Sequence, residues 1–124
     1  MAASSGSLHE DPKILGEVLI DRHRAIVSLM EELEAVDWYD QRVAAAADGE
    51  LREILAHNRD EEKEHAAMVL AWLRRHDKAL DEHLRTYLFA EGPITGREES
   101  ETAAPAAGDG SLGIGSLRDT GAKP

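Results

Sequence analysis

The sequence contains no cysteine. That excludes a disulfide framework, a thiolate nucleophile and a cysteine-held iron–sulfur cluster, and it points to a reducing cytosol as the compartment. No apolar run approaches the length of a membrane-crossing helix. The N-terminus shows no basic segment leading into an apolar stretch, so no secretory signal is expected. Aromatic side chains are scarce, with two Trp, two Tyr and one Phe in 124 residues, which makes the adjacent Trp38 and Tyr39 informative. Positive charge is in deficit. Fourteen Lys and Arg stand against 25 Asp and Glu, a formal charge of -11 at pH 7. Such a balance disfavours nucleic acid and anionic membranes as partners and favours cations. The length predicts one small domain. Its foldable part is short, buries little core alone and is expected to need partners.

Residues 1–11 are small and polar and are expected to be flexible. Asp11-Pro12 reads as a helix start, with Asp as the cap and Pro at the first helical position. The first helix is predicted from about Pro12 to about Ala46. Its apolar stripe is Leu15, Val18, Leu19, Ile26, Leu29, Met30, Leu33 and Val36, interrupted by Arg22 and His23. Asp48-Gly49 is a stop-and-turn signal. A second helix is predicted from about Glu50 to about His76, and a short third one from about Leu80 to about Ala90. Two long helices joined by a short connection predict an antiparallel hairpin. The third helix carries an apolar side (Leu80, Leu84, Tyr87, Leu88) that needs a partner surface. From Pro93 onward the composition turns to Gly, Ala, Ser, Thr, Pro and Glu, which cannot bury a core. The expected layout is a helical domain over 12–91, a disordered linker over 92–109, a short run at 110–118 and a tail at 119–124. The run Gly110-Ser111-Leu112-Gly113-Ile114-Gly115-Ser116-Leu117-Arg118 carries three aliphatic residues in an apolar-poor tail and reads as a linear docking motif.

What is abundant is carboxylate, and one stretch organises it: Asn58-Arg59-Asp60-Glu61-Glu62-Lys63-Glu64-His65. Within it, Glu62-x-x-His65 places a carboxylate and an imidazole one turn apart on the same helix face. Such a pair can hold one metal ion, and it recurs in di-iron carboxylate bundles together with a lone Glu from another helix. Leu51, Leu55, Asn58, Glu62, His65, Val69, Trp72 and His76 follow alternating steps of four and three, the spacing of a buried seam. An unpaired carboxylate in its middle would cost several kcal/mol in desolvation, which a bound cation would remove. The competing reading is a half-buried helix whose Glu62 reaches solvent.

On the first helix, Glu31-Glu32-Leu33-Glu34 packs three carboxylates into one turn. Glu32 lies at the edge of the apolar stripe, three after Leu29 and four before Val36, and is the best inward carboxylate by register. Glu34 flanks the other edge and Glu31 points away; both also fit a solvated acidic patch. Tyr39 is seven after Glu32, on nearly the same face, and its hydroxyl can bond a ligand carboxylate. Packing of both Trp38 and Tyr39 at a helix end is the alternative. His57, Glu61 and Glu64 share another face, which reads either as a weaker exterior cation site or as a solvated face with ion pairs to Arg59 and Lys63.

A complete di-iron carboxylate site takes a Glu from each of two helices and a Glu-x-x-His from each of two others. This chain supplies one half: Glu32, and Glu62 with His65. Two hairpins about a two-fold axis would complete it, because an isologous interface duplicates every ligand. The fold class expected is therefore all-α, a hairpin plus a short C-terminal helix that dimerises into a four-helix bundle. Iron, manganese and zinc all suit the donors. Two ions would sit about 3.5–4 Å apart, with Glu62 as the natural bridge.

The chain resembles the encapsulated ferritins, ferritin-like proteins housed inside encapsulin shells. The resemblance is dense at 23–27, at Glu31-Glu32-Leu33-Glu34-Ala35-Val36-Asp37-Trp38-Tyr39, at His57-Asn58-Arg59-Asp60-Glu61-Glu62-Lys63-Glu64-His65-Ala66 and at Arg85-Thr86-Tyr87-Leu88-Phe89. It implies a ferroxidase that oxidises Fe(II) to Fe(III) with dioxygen, with iron at a di-iron centre and calcium or another divalent cation at peripheral positions. It implies ligands at Glu32, Glu62 and His65, with Tyr39 and Trp38 close by, metal entrance at Glu31 and Glu34, and an exterior site at His57, Glu61 and Glu64. It also implies a homodimer, an annular decamer of five dimers, cytoplasmic residence inside an encapsulin compartment, and 110–118 as the peptide that docks to the shell protein. Two other classes of function compete: a divalent-metal-binding cargo module without turnover, and a helical adaptor with no metal role.

Overall fold

The computed structural model describes residues 7–98; the run 110–118, the tail 119–124 and most of the linker 92–109 lie outside the described residues. Among the described residues three helices follow in order: α1 (Pro12–Ala45), α2 (Gly49–Arg75) and α3 (Lys78–Tyr87). The described residues contain no strand, and the class is all-α, as expected. No described helix is long and apolar enough to cross a membrane.

Each helix starts on an aspartate. Asp11 Oδ1 accepts from the Lys13 amide at 2.9 Å, with Pro12 behind it at the first position. Asp48 Oδ2 accepts from the Leu51 amide at 2.9 Å, and Asp77 Oδ1 from the Leu80 amide at 3.0 Å. A short side-chain acceptor satisfies an amide that has no partner within the helix, so these aspartates set the starts. Asp77, read from sequence as a break, is thus also a beginning, and α3 runs from 78 to 87 rather than from 80 to 90.

The first helix is not continuous as predicted. Gly16 takes φ +79° and ψ 170°, a combination open essentially to glycine alone. The opening turn is thereby set off from the long run that carries Glu32.

α1 and α2 pack as an antiparallel hairpin. Near the hairpin's open end, Arg22 Nη2 donates to the His76 carbonyl at 3.2 Å. Nearer the turn, Arg59 Nη1 pairs with Asp40 Oδ1 at 3.1 Å. These partners mirror one another across the short connection between the helices, as antiparallel packing requires.

Burial corrects the predicted seam. Among the described residues only Ala66 and Leu73 form a buried apolar core, at 6% and 4% exposure. Leu51, His65, Trp72 and His76 are exposed, and the other seam members are half-buried. One flank of α2 faces α1, along Leu55, Glu62, Ala66 and Leu73. The other flank, with Ile54, His65, Met68 and Trp72, stays open. On α1, Leu19, Ile26, Met30 and Leu33 are likewise exposed. A two-helix hairpin can cover only one flank of each helix, so half of the apolar pattern is left without cover. On the open flank Trp72 and His76 stack at 3.9 Å between ring centroids.

So thin a core concentrates cost on few residues. Leu73→Ala is expected to destabilise the chain by about 2–5 kcal/mol, the range for emptying a buried Leu site. Thermal melting read by circular dichroism should show it as a fall of about 10 °C or more.

Residues 82–98 belong to a second unit, described here by itself. Within it Thr86 Oγ1 donates to the Glu82 carbonyl at 3.1 Å and the Leu88 amide to the Leu84 carbonyl at 2.9 Å. Phe89 ends this stretch in the left-handed region at φ +66°, where helix ends usually place glycine. Leu88, Phe89 and Ile94 are exposed, and Arg97 donates to the Glu91 carbonyl.

Candidate metal centre

Glu32 projects from the middle of α1; Glu62 and His65 project from the middle of α2, one turn apart. The hairpin brings the three together. His65 Nδ1 lies 3.2 Å from Glu62 Oε1 and 3.5 Å from Glu32 Oε1. One donor atom from each residue falls within 4.8 Å of the other two, the only such three-donor group among the described residues. The side chains of Glu32 and Glu62 are 26% and 25% exposed, and that of His65 is 46% exposed. The carboxylates thus sit in the partly covered groove between the helices, while the imidazole stands at its open flank.

The electrostatics are those of two acids forced together beside a base. Glu62 next to it holds the Glu32 carboxyl above the ordinary carboxylate range, first by a shared hydrogen bond, then with partial burial and like-charge repulsion adding; His65 works against the rise. The Glu62 carboxyl is held below that range, because Glu32 donates to it and His65 supports its charge. The His65 imidazole is raised, chiefly by its bond to Glu62. The two carboxyls are thus pushed apart in acidity, as expected when two carboxylates share a site. A cation held among the three donors would offset the crowding of the two carboxylates. The donor set fits a metal ion on these grounds: oxygen and imidazole ligands converge, and their like charges need a positive partner.

This arrangement gives a direct measurement. In metal-free protein followed by NMR, the His65 ring should titrate above an ordinary imidazole, and Glu62→Gln should bring its midpoint back down. The sign for stability follows: a raised histidine contributes stability that is fully present below its unfolded-state value and is lost as pH climbs through the folded-state one.

The other expected site residues lie apart from this group. Glu31 and Glu34 are exposed on α1 and join no three-donor cluster. His57 Nε2 lies 3.6 Å from Glu61 Oε2, both well exposed, and Glu64 does not complete a triad with them. Tyr39 is half-buried, with the Arg42 guanidinium 5.3 Å from its ring centroid and 6.0 Å from that of Trp38. It is not one of the three converging groups. The solvated-face reading of His57, Glu61 and Glu64 placed local ion pairs to them on Arg59. Instead Arg59 crosses to Asp40 on α1 while also bonding Asp60 at 3.1 Å, and Lys63 stands 3.7 Å from Asp60. Sequence held no signal for this crossing, since Asp40 lies 19 residues away and beyond the turn.

Comparison with known proteins bears on this geometry. Residues 7–91 match the family model described as EncFtn-like. The chain belongs to this family. A relative named encapsulated ferritin-like protein, from Rhodospirillum rubrum, is 64% identical over 95% of this chain and 92% of its own length. A ferritin-like protein from Thermotoga maritima is 55% identical over 76% of this chain and 82% of its own. Among solved structures, a crystal structure of protein ne0167 from Nitrosomonas europaea has a TM-score of 0.69 at 58% identity, covering 72% of this chain and 98% of that one. Membership of the EncFtn-like family supports an iron-related, ferritin-like role, and the three-donor cluster lies inside the matched region.

Proposed function

We propose that the protein is a ferroxidase that oxidises Fe(II) to Fe(III) with dioxygen at a di-iron site formed across a homodimer interface. The observation that carries this reading is the convergence of Glu32, Glu62 and His65 donor atoms within 4.8 Å. One chain offers three donors and leaves the apolar flanks of both helices open; a two-fold partner would bring the same three donors to the same place and cover those flanks. The resulting four-helix bundle would match the arrangement of carboxylate di-metal bundles.

In this reading Fe(II) is the substrate. Each ferrous ion gives up one electron, so a pair supplies two to dioxygen, which leaves with two protons as hydrogen peroxide. Glu62, already the more acidic of the two acids, would serve both ions. Glu32 would supply the carboxylate from the facing helix. His65 would bind as neutral imidazole, so metal uptake should release protons. Tyr39, Glu31 and Glu34 would act around the centre, the last two as the approach for metal. His57, Glu61 and Glu64 would take a further divalent cation, such as calcium, outside it.

The name of the Rhodospirillum relative supports extending the reading to encapsulation. Five dimers would form a ring, held in an encapsulin compartment through the run 110–118, with the shell providing storage. The deciding experiment is anaerobic loading with Fe(II) followed by air. Steady appearance of ferric absorbance beyond two equivalents per site supports the enzyme. Binding with no oxidation above the buffer control would leave a metal-binding cargo module instead.

A further inference from the structure

The metal centre depends on two helices that hold each other weakly. Glu32 is on α1, and Glu62 and His65 are on α2, so the donor set exists only in one register and one rotation of the pair. A shift of one residue along a helix is about 1.5 Å, whereas metal–ligand distances tolerate about 0.2 Å. Apolar packing does little to fix that register near the turn. Both buried residues, Ala66 and Leu73, lie on the far side of His65 from the turn, and between the turn and the centre no described side chain is buried.

What stands in that gap is Arg59. It lies one turn before Glu62, its side chain is only 24% exposed, and it reaches Asp40 on α1 at 3.1 Å while its Nε bonds Asp60 at 3.1 Å. Asp60 thereby fixes the guanidinium's orientation from within α2, and the remaining arm of the fork is aimed across the hairpin. A planar guanidinium restrained at two points specifies direction as well as distance. By helical position, Arg59 lies about 120° around α2 from His65, on the side that reaches α1. It is therefore clear of the open side on which a partner would sit, and it can act in a single chain before any assembly. At the other end of the hairpin Arg22 makes the corresponding reach, to the His76 carbonyl at 3.2 Å. The centre lies between these two cross-helix bonds.

We propose that the Arg59–Asp40 bridge is a positioning device for the metal centre, fixing the register of α1 against α2 so that Glu32 meets Glu62 and His65. The inference rests on the metal-site reading of those three residues. Its role is geometric: a solvent-accessible ion pair adds little to stability, but a small rotation of α1 displaces Glu32 from the donor set.

The test uses Co(II) as the probe on the full chain, titrated while its visible absorption bands are followed, with thermal melting in chelator alongside. The variants are Arg59→Gln, Asp40→Asn, their combination and Arg59→Lys, with Glu62→Ala as the site control. Each single variant is expected to melt close to wild type, to bind Co(II) about tenfold more weakly, at the lower end of the losses seen when groups supporting metal ligands are removed, and to show altered bands. The combination should be no worse than either single change, since both remove the same bond. Arg59→Lys, which keeps the charge but not the fork, should recover part of the affinity. Unchanged Co(II) affinity and bands in both single variants would overturn the proposal, and so would strictly additive losses in the combination. Should Arg59→Gln not fold, Asp40→Asn decides alone. If wild-type binding requires Glu62 yet ignores the bridge, only the positioning role fails. If Glu62→Ala binds Co(II) as wild type does, the site reading fails and takes the bridge with it.

Discussion

Glu62→Ala should leave Fe(II) oxidation at the rate of the buffer control, a loss of at least about 100-fold, the upper end of what removal of a supporting group alone costs a metal site. Glu62 supplies one of the two carboxylates of the cluster. Its carboxyl is held below the ordinary range, first by Glu32 beside it, and it lies 3.2 Å from His65 Nδ1. Truncation leaves one carboxylate and one imidazole 3.5 Å apart, a two-donor remnant that cannot hold an ion in competition with water. Duplication by a partner would double the loss, because each chain's Glu62 would serve the shared centre. The fold should not suffer. Alanine is the better helix former, and removing one of two crowded acids relieves their repulsion. The metal-free variant is therefore expected to melt at or above the wild-type temperature while ferric absorbance on admission of air stays flat. Glu62→Gln, matched in shape but uncharged, should fail likewise. Wild-type oxidation in either variant would place the chemistry elsewhere.

A charge on the open apolar flank should abolish activity without touching a ligand. Ile26→Glu on α1 leaves Glu32, Glu62 and His65 in place but puts a carboxylate among Leu19, Met30 and Leu33, all exposed in the single chain. At a two-fold interface the substitution occurs twice. Losing two buried aliphatic side chains alone forfeits about 3–6 kcal/mol of association, which is a 100-fold or greater rise in the dissociation constant. Native mass spectrometry should show a monomer, and oxidation should fall with it, because a lone chain presents half a site. Metal should act in the opposite direction on the wild-type protein. An ion bound only by the assembled site stabilises the assembly by mass action, so excess Fe(II) should favour an even-numbered oligomer and a strong chelator smaller species. An oligomer distribution indifferent to both treatments, or a monomeric Ile26→Glu that still oxidises iron, would refute assembly as the step that completes the centre.

The sequence by itself determined whatever is local to a helix. The three-helix order follows from the turn signals. The cap at Asp11 follows from a short side chain meeting unpaired amides, whereas Asp48 and Asp77, read from sequence as a turn and a break, proved to cap the helices that follow. The meeting of Glu62 with His65 follows from a spacing of three, because on a helix that spacing fixes a shared face whatever surrounds it. Glu32 was legible one step further out, since the edge of an apolar stripe is where an inward carboxylate can stand. Gly16 was visible as a residue, but its positive φ and the break it makes were not, because glycine permits that conformation without requiring it. Only the tertiary structure decided which flank of α2 would face α1. The sequence pattern runs around more of each helix than one neighbour can cover, and it cannot say which part a single chain buries. Hence the seam from Leu51 to His76 is half open, with Ala66 and Leu73 taking the covered line. The same limit hid Arg59. Its reach to Asp40 depends on how two helices rotate against each other, and that rotation is set by packing across the turn, where no sequence period applies.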